Sequence, residues 1–443
     1  MLPEPGAPTV ITTAAFFAPP NAATASSGTG RPVAFMPSGW NTTVVKVTLI
    51  GQIVGAGKAV VVRSAILGAA LLLCGLLLVL TGVLPIGDAL TVGERVWPIL
   101  TFVVAITVVT ELAAEAGLFT VVAERLALWG LDRAWLLWML VVALATTCTI
   151  FLSLDTTAVL LTPVVVVLAR HVGLPPIPFA LTTVWLANSA SLLLPVSNLT
   201  NLLAEHRMGL GSPLAFAALM ALPALVAIVV PSLLLFVIFR RDLLRRYTPG
   251  RASPPGDRVL LATSAIVVAL LVPALVSGVA VWIPACAAAG VLGVVFLLRR
   301  PKTLTLSLLP WQLVLLASGL FLVIEAGHAI GLTDLVAVAA GSGSGPLELL
   351  RLSGVGVLGA NAVNNLPAYL ALEPVADSPV RLAALLVGVG AGSLITPWAS
   401  LATLLWHARL VALDVEVSWA KYAGLGLLVV PLTVIPAVWM LSL

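Results

Sequence analysis

Long apolar segments recur along almost the whole chain, and this feature restricts its possible folds more than any other. About 20 mostly apolar residues are enough for a helix to cross the hydrocarbon of a bilayer, and runs such as 213–239 are separated by short polar stretches. Hydrophobic residues make up 60% of the 443 residues and charged residues 9%, whereas a soluble domain has about 25% charged residues. A water-soluble fold could not bury this much apolar surface. We therefore predict an all-α polytopic protein of the cell inner (plasma) membrane.

The charged residues are concentrated in a few connections between the apolar segments. The longest connection, 240–258, carries six arginines against two aspartates, and basic loops of this kind face the cytoplasm. We expect a poorly ordered tail (1–57), a first transmembrane repeat (58–239), this basic cytoplasmic linker (240–258) and a second transmembrane repeat (259–443). The net charge of +4 comes from basic residues in such connections. Their positions indicate the orientation in the membrane and give no reason to expect nucleic-acid binding.

The two halves on either side of the linker resemble each other. The segments Ser191–Leu203 and Ser393–Leu405 align with a serine, a proline and four leucines in common. The segments Trp97–Leu118 and Trp311–Leu332 repeat Trp, Val, Glu, Gly and Leu at equal spacings. Paired, proline-interrupted segments in two halves are typical of transporters whose binding site lies at the bilayer midplane. The predicted fold is two inverted repeats with re-entrant hairpins and discontinuous transmembrane helices.

Four polar clusters interrupt the apolar segments, two in each half, and contain the candidate residues for binding a solute or an ion. An aspartate at the centre of a membrane helix costs about 2.5–3.5 kcal/mol, so such residues are functional candidates. The first half contributes Asp155, Thr156, Thr157, Asn188, Ser189, Ser191, Ser197, Asn198 and Asn201. The second half contributes Asn364, Asn365, Ser393, Thr396, Ser400 and Thr403.

Structural roles compete with binding at several of these positions. Aspartate is a favoured N-cap, so Asp155 would cap a helix that begins at Thr156, and such a helix would also present free N–H groups to a solute. Prolines within a segment free backbone carbonyls, which hydroxyl and amide side chains either resatisfy or leave for a solute. Gly390 and Gly392, by contrast, fit close helix packing.

Two glutamates, Glu111 and Glu325, occupy equivalent places near the ends of the repeated Trp–Leu segments. They are either interfacial residues in contact with water or members of a proton relay or gate. The sequence contains no P-loop lysine motif, no H-E-x-x-H and no G-x-S-x-G, so an ATP-driven pump or a familiar intramembrane hydrolase finds no support. We expect no enzyme activity, no cofactor and no metal site.

The sequence of the polar clusters resembles that of the arsenite permeases (arsenical pump membrane proteins). These form a branch of the ion transporter superfamily, which also includes citrate, dicarboxylate and some sodium/proton carriers. The resemblance extends over about residues 60–443 and rests on Leu154–Pro163, Asn188–Asn201, Asn364–Pro367 and Ile395–Trp406.

The chain also departs from the family pattern at its centre. Where the family commonly has acidic residues in the second and third clusters, this chain has Asn188 and Gly390, and Leu154 stands where an asparagine is usual. Asp155 is then the main carboxylate left at the expected centre. If a proton is carried, Asp155 is therefore the expected carrier.

The resemblance implies efflux of arsenite or antimonite, taken as the neutral trihydroxide and exchanged for protons. Hydroxyl and amide groups with one carboxylate suit such a solute, whereas a polyvalent anion would favour basic side chains. One alternative is a citrate or dicarboxylate carrier, which would bind its anion at helix N-termini. A sodium/proton carrier of the same superfamily is another, and a passive channel would belong to a different class.

The expected partners follow from this interpretation. They are the lipid bilayer, a small inorganic or organic solute, and a proton or sodium as the coupling ion, with no nucleic acid. An arsenical ATPase subunit and a homo-oligomer both stay open as protein partners.

Overall fold

The structure, a computed structural model, describes residues 65–248 and 256–443. The predicted N-terminal tail, 1–57, and the middle of the predicted linker lie outside these ranges. The regular secondary structure of the described residues is helical throughout, and seven of their helices are long and apolar enough to cross a membrane. The predicted all-α polytopic membrane fold is therefore confirmed.

The helices are numbered in chain order. Those before the linker are α1 (Ala65–Leu80), α2 (Ile86–Glu115), α3 (Leu118–Trp129), α4 (Ala134–Phe151), α5 (Thr162–His171), α6 (Ile177–Ser189), α7 (Leu199–Met208) and α8 (Pro213–Ile238). The short α9 (Arg240–Leu243) lies in the linker and is followed by α10 (Arg258–Leu275) and α11 (Trp282–Arg299). The others are α12 (Trp311–Ala329), α13 (Leu332–Ala340), α14 (Pro346–Ala362), α15 (Asn365–Leu372), α16 (Pro379–Gly390), α17 (Leu401–Val411) and α18 (Trp419–Trp439).

The same order of helices occurs twice, once in α2–α8 and once in α12–α18. In each set a long and a short helix are followed by a hairpin, an interrupted helix and another long helix. The backbone agrees at the interruptions as well. Leu152 (φ −109°, ψ −51°) and Val363 (φ −121°, ψ −54°) end α4 and α14, and Asn198 and Ser400 are both extended before α7 and α17.

The basic linker defines one face of the described helices. Asp257 caps α10 by accepting from the backbone nitrogens of Val259 and Leu260, and it also accepts a hydrogen bond from Arg299 at 3.0 Å. This bond from Arg299 holds the pKa of Asp257 below its usual range. Because Arg299 ends α11, the α10–α11 hairpin starts and finishes at the face that carries the linker. The backbone nitrogen of Ala134 donates to the carbonyl of linker residue Arg245, which brings the start of α4 to the same face.

Helix α2 runs parallel to α11 and antiparallel to α12. Trp97 of α2 packs against Trp282 at the start of α11, with ring centroids 5.4 Å apart, so the C-terminal ends of α2 and α11 both point to the linker face. The N-terminal part of α2 (88–96) shares a cavity with residues 321–328 of α12, and its C-terminal part (107–111) shares one with residues 310–313. The two long helices therefore lie side by side in opposite directions.

Helix α1 packs against α12 at very short range. A Cβ added at Gly68 would lie 2.6 Å from the backbone nitrogen of Leu316, and one added at Gly319 would overlap the backbone of Leu72. Only glycine allows the two helices to approach this closely, as is common where membrane helices pack. Thus α1 packs on α12, whereas α11 packs on α2.

Candidate functional site

Four segments that depart from the α-helix meet around one central cavity of about 80 Å³. Two are the hairpin tips between α4 and α5 and between α14 and α15, and two are the breaks between α6 and α7 and between α16 and α17. The polar residues that line the cavity are Thr107, Ser153, Asp155, Ser197, Asn198, Asn364, Asn365 and Ser400. Its remaining wall is apolar and includes Phe102 and Ile106 of α2 and Leu313 and Leu316 of α12.

The first hairpin tip exposes Asp155 to this cavity. After α4 the chain continues into a π-helical turn, Thr156–Leu161. The Ser153 hydroxyl caps this turn by accepting from the backbone nitrogen of Thr156 at 3.2 Å, and Asp155 makes no capping bond. The capping role considered for Asp155 is therefore wrong. Among the described residues no hydrogen bond reaches its carboxylate, which faces the cavity without a protein partner.

Ser153 also lines the central cavity. It opens the first polar cluster of the sequence but was not among the candidate binding residues. Its position three residues before Thr156 is the usual spacing between an N-cap side chain and the N–H group that it accepts. That spacing was available in the sequence, but the neighbouring aspartate was the more conspicuous candidate. The structure thus shows that Ser153 caps the turn, whereas the Asp155 carboxylate is free.

The second hairpin tip presents Asn365. The preceding residue, Asn364, caps α15 by accepting from the backbone nitrogen of Leu366, and it donates to the carbonyl of Trp398 at 2.8 Å. Both ends of the Asn364 amide are therefore used, the oxygen to cap α15 and the nitrogen to join the tip to the second helix break. The side chain of Asn365 borders the cavity, with 8% of the residue exposed, and has no hydrogen-bond partner in the described part of the chain.

The first helix break is held together by its own amide and hydroxyl groups. Asn201 donates to the carbonyls of Ser191 and Leu194, at 2.6 and 3.1 Å, and so resatisfies carbonyls that the break frees. Ser197 donates to the carbonyl of Ile150 at 2.9 Å, which ties the break to α4. Asn198 caps α7 through its Oδ1, and its Nδ2 is left for the cavity.

The second helix break is anchored by Asn361, which the sequence analysis did not select. Its Nδ2 donates to the carbonyl of Gly392 at 2.8 Å, and its Oδ1 accepts from the backbone nitrogen of Thr396 at 2.9 Å. The Thr396 hydroxyl donates to the Asn361 carbonyl at 2.9 Å, so Thr396 has a structural role here. Ser400 is 1% exposed and lies on the cavity, and its hydroxyl has no partner among the described residues.

Three predicted site residues link the two breaks behind the cavity. Asn188 donates to the Thr403 hydroxyl at 3.4 Å and accepts from the Ser393 hydroxyl at 3.3 Å. None of the three lines the central cavity, and their hydrogen bonds connect the two halves of the chain behind it.

The remaining predicted residues also lie outside the cavity wall. Thr157 bonds the Thr149 hydroxyl at 2.8 Å, and Ser191 donates to the Asn188 carbonyl at 2.8 Å. Ser189 is fully buried, and Thr156 borders a neighbouring cavity.

The groups left free for a ligand are the Asp155 carboxylate, the Asn198 Nδ2, the Asn365 amide and the Ser400 hydroxyl. Among the residues that the structure describes, no lysine, arginine or histidine lines the central cavity. Four helical segments begin at the cavity, namely the π-helical turn, α7, α15 and α17. Their positive dipole ends partly offset the negative charge of Asp155. The site therefore offers hydrogen-bond donors and acceptors to a small polar solute.

Two further cavities lie along α2, one on each side of the central cavity. The vestibule, of about 530 Å³, is lined by Arg95, Arg207, Glu325 and Glu373 among others. The Glu111 cavity, of about 140 Å³, lies toward the linker face and also contains Asp155 and Thr156. In residues 65–248 and 256–443, no three His, Cys, Asp or Glu side chains are placed to hold a metal ion.

Comparisons with known proteins agree with this architecture. Residues 59–405 match the family described as citrate transporter (CitMHS). The arsenical pump membrane protein of Escherichia coli K12 is 28% identical over 396 residues, which cover 82% of this chain and 89% of that protein. The arsenical pump membrane protein of Yersinia enterocolitica is 28% identical over 391 residues, which cover 83% and 91%.

A solved structure supports the fold. The Alcanivorax borkumensis YdaH transporter, described as having an unusual topology, matches 89% of this chain and 98% of its own with a TM-score of 0.52 and 17% identity. The predicted resemblance to the arsenite permeases of the ion transporter superfamily is confirmed by the family match and by the similarity over most of the chain. The protein is thus a multi-pass inner-membrane transporter, and its chain belongs to the citrate transporter family.

Proposed function

We propose that the protein is a secondary active transporter that exports trivalent arsenic or antimony, as the neutral hydroxide, in exchange for protons. The central cavity carries this proposal. Its free groups are one carboxylate, two amides and one hydroxyl, and no basic side chain among the described residues lines it. Amides and hydroxyls both donate and accept, which matches a solute whose hydroxyl groups do the same.

The size of the cavity supports the same class of solute. At about 80 Å³ it has room for a few water molecules, each of which occupies about 30 Å³ in the liquid. A solute with one central atom and three hydroxyl groups is of this size. A tricarboxylate such as citrate is larger and fits the cavity less well.

We assign proton coupling to Asp155 because it is the carboxylate at the point where the two hairpin tips meet. We also propose that the two halves are inverted repeats around this point. The antiparallel α2 and α12 support this, and so do the matching backbone conformations at Leu152 and Val363. Alternating access would then expose the same site first to one face and then to the other.

A dicarboxylate carrier is the second candidate, and one observation favours it. Four helix N-termini border the cavity, and together they provide a positive potential that would hold a carboxylate without any arginine. The Asp155 charge opposes this potential, and the cavity volume is small for such an anion. Both features give the neutral solute the better fit.

Expression of the protein in an arsenic-sensitive bacterium is expected to raise arsenite tolerance and to lower the intracellular arsenic content. Both effects follow if the solute leaves the cell through the central cavity. The measurement is accumulation of arsenite in cells whose membrane content of the protein has been verified. Unchanged accumulation at verified membrane insertion would refute the arsenite assignment and favour the dicarboxylate carrier.

Uptake into proteoliposomes separates a carrier from a passive channel. A carrier shows saturable flux of arsenite, antimonite, citrate or succinate that responds to an imposed proton or sodium gradient. A channel shows flux that follows the solute gradient alone. The same panel identifies the coupling ion.

Alanine at Asn198 or at Ser400 is expected to weaken transport to a similar extent. Each change removes a free hydrogen-bonding group from the desolvated cavity, at about 1–3 kcal/mol, or roughly 5- to 150-fold in apparent affinity. Asn198→Ala also removes the side-chain cap of α7. The measurement is the concentration dependence of flux into proteoliposomes. Ser264→Ala in α10 is the matched control, because Ser264 is also buried and unpaired but does not line the cavity. Unchanged apparent affinity in both cavity variants would show that the two residues only pack helices.

A further inference from the structure

The three cavities lie in succession along α2. The vestibule contacts α2 at residues 88–96, the central cavity at residues 102–107, and the Glu111 cavity at residues 107–111. The central cavity and the Glu111 cavity share Asp155 and Thr107, whereas the vestibule shares no lining residue with either. In this structure Asp155 therefore communicates with the Glu111 side and is separated from the vestibule.

Each outer cavity is lined by a glutamate from one half of the chain, and each of these glutamates has an arginine of the other half among its charged neighbours. Glu111 of α2 interacts electrostatically with Arg409 of α17. Glu325 of α12 and Arg207 of α7 line the vestibule together. The pairs are crossed, since the glutamate and the arginine of each pair come from different halves.

The two pairs are also equivalent in sequence. Glu111 and Glu325 hold the same place in the repeated Trp–Leu segments, and the alignment that matches Ser191 with Ser393 places Arg207 opposite Arg409. Because α2 and α12 are antiparallel, the two glutamates lie at opposite ends of the helix pair. One glutamate is therefore on the linker side of Asp155 and the other on the far side.

We propose that Glu111 and Glu325 are the two groups through which the coupling proton passes between Asp155 and the aqueous phases. On the linker side, which the basic residues orient to the cytoplasm, the protonated Asp155 carboxyl gives its proton to the Glu111 carboxylate. The transfer leaves Asp155 ionised and Glu111 neutral, and Glu111 then releases the proton to water. Glu325 loads the proton from the vestibule when the central site opens to that side. This inference rests on the proposed proton-coupled transport.

Other charged groups face the two glutamates. Those near Glu111 are Glu115 on the same helix, Arg409 and Asp155. Those that share the vestibule with Glu325 are Asp88, Arg95, His206, Arg207, His328 and Glu373. In the vestibule Arg95 is paired with Glu373, which leaves Arg207 as an arginine available to Glu325.

Two flux assays in proteoliposomes test the proposal. The first measures arsenite flux driven by an imposed pH gradient, which requires the proton to be loaded and released. The second measures exchange of labelled for unlabelled arsenite at equal pH, which requires only that the loaded site reorients. Glu111→Gln and Glu325→Gln are each expected to lower the gradient-driven flux by about 100-fold, the usual contribution of a positioned proton-transfer group, while exchange stays close to the parent value.

Conservative and neighbouring variants provide the controls. Glu111→Asp keeps a carboxyl group and is expected to restore part of the gradient-driven flux. Glu94→Gln makes the same change at an exposed residue of α2 that lines none of the three cavities, and is expected to behave like the parent. Exchange also reports folding, because a misfolded variant loses both fluxes.

Two results would overturn the proposal. One is parent-level gradient-driven flux in both glutamine variants. The other is loss of exchange and driven flux in the same proportion in a variant that keeps the membrane content and the melting temperature of the parent. The assays are repeated with citrate and succinate. A parent that carries one of these anions in place of arsenite refutes the proposed solute but leaves the comparison of variants valid, and a parent that carries none refutes both proposals.

Discussion

Asp155→Asn is expected to reduce pH-gradient-driven flux to background while the protein remains folded in the membrane. Asparagine has the size of a protonated aspartate but cannot take up or release a proton. Since Ser153 and not Asp155 caps the π-helical turn, the substitution removes no hydrogen bond from the described structure. The variant therefore tests proton coupling without disturbing the fold. The measurement is flux into proteoliposomes with and without an imposed pH gradient, together with the melting temperature in detergent.

The control for this experiment is Asp334→Asn, which makes the same change at an exposed position in the first turn of α13. It is expected to leave flux and melting temperature unchanged. Gradient-driven flux in Asp155→Asn equal to that of the parent would exclude Asp155 as the obligatory proton site. Attention would then turn to Glu111 and Glu325.

Asn361→Ala is expected to destabilise the protein more than any other single change discussed here. Asn361 donates to the carbonyls of Val357 and Gly392 and accepts from the backbone nitrogens of Ile395 and Thr396. Alanine would leave two N–H groups and a carbonyl of the second break without partners, at about 1–3 kcal/mol for each. This total is a large part of the 5–15 kcal/mol by which proteins are typically stable.

The readouts are the melting temperature in detergent and the yield of monodisperse protein. Asn365→Ala is the matched control, because it removes a neighbouring amide that makes no hydrogen bond with the described residues. It is expected to keep the parent melting temperature and to affect transport alone. Equal melting temperatures for the two variants would contradict the anchoring role of Asn361.

The helical membrane architecture could be predicted because the sequence patterns that indicate it are pronounced. Runs of apolar residues indicate membrane helices, and the proline-interrupted segments after Ser191 and Ser393 indicate the two breaks. The short helices α3 and α13 were not predicted. They are too short to span a bilayer, and each begins after a glycine with positive φ, Gly117 (φ 83°) or Gly331 (φ 100°), which an apolar profile does not reveal.

The composition of the site could be predicted less well than its location. Polar residues in apolar segments indicated which part of the chain to examine, and six of the fifteen candidates line the central cavity. Asn188 and Asn201 were candidates for the same reason as Asn198, because residue type does not show where an amide points. Three-dimensional contacts decide whether an amide resatisfies a freed carbonyl, as Asn201 does, or remains free for a solute.

The contacts that helices of one half of the chain make with the other half have a consequence for how the protein is made. Helix α1 packs on α12 and α11 packs on α2, while Asn188 bonds side chains of the second half. When the ribosome has completed α8, α1 and the α6–α7 break have none of these partners. The first half must therefore remain in the bilayer without its contacts to the second half, and the transport site exists only after α17 has been synthesised.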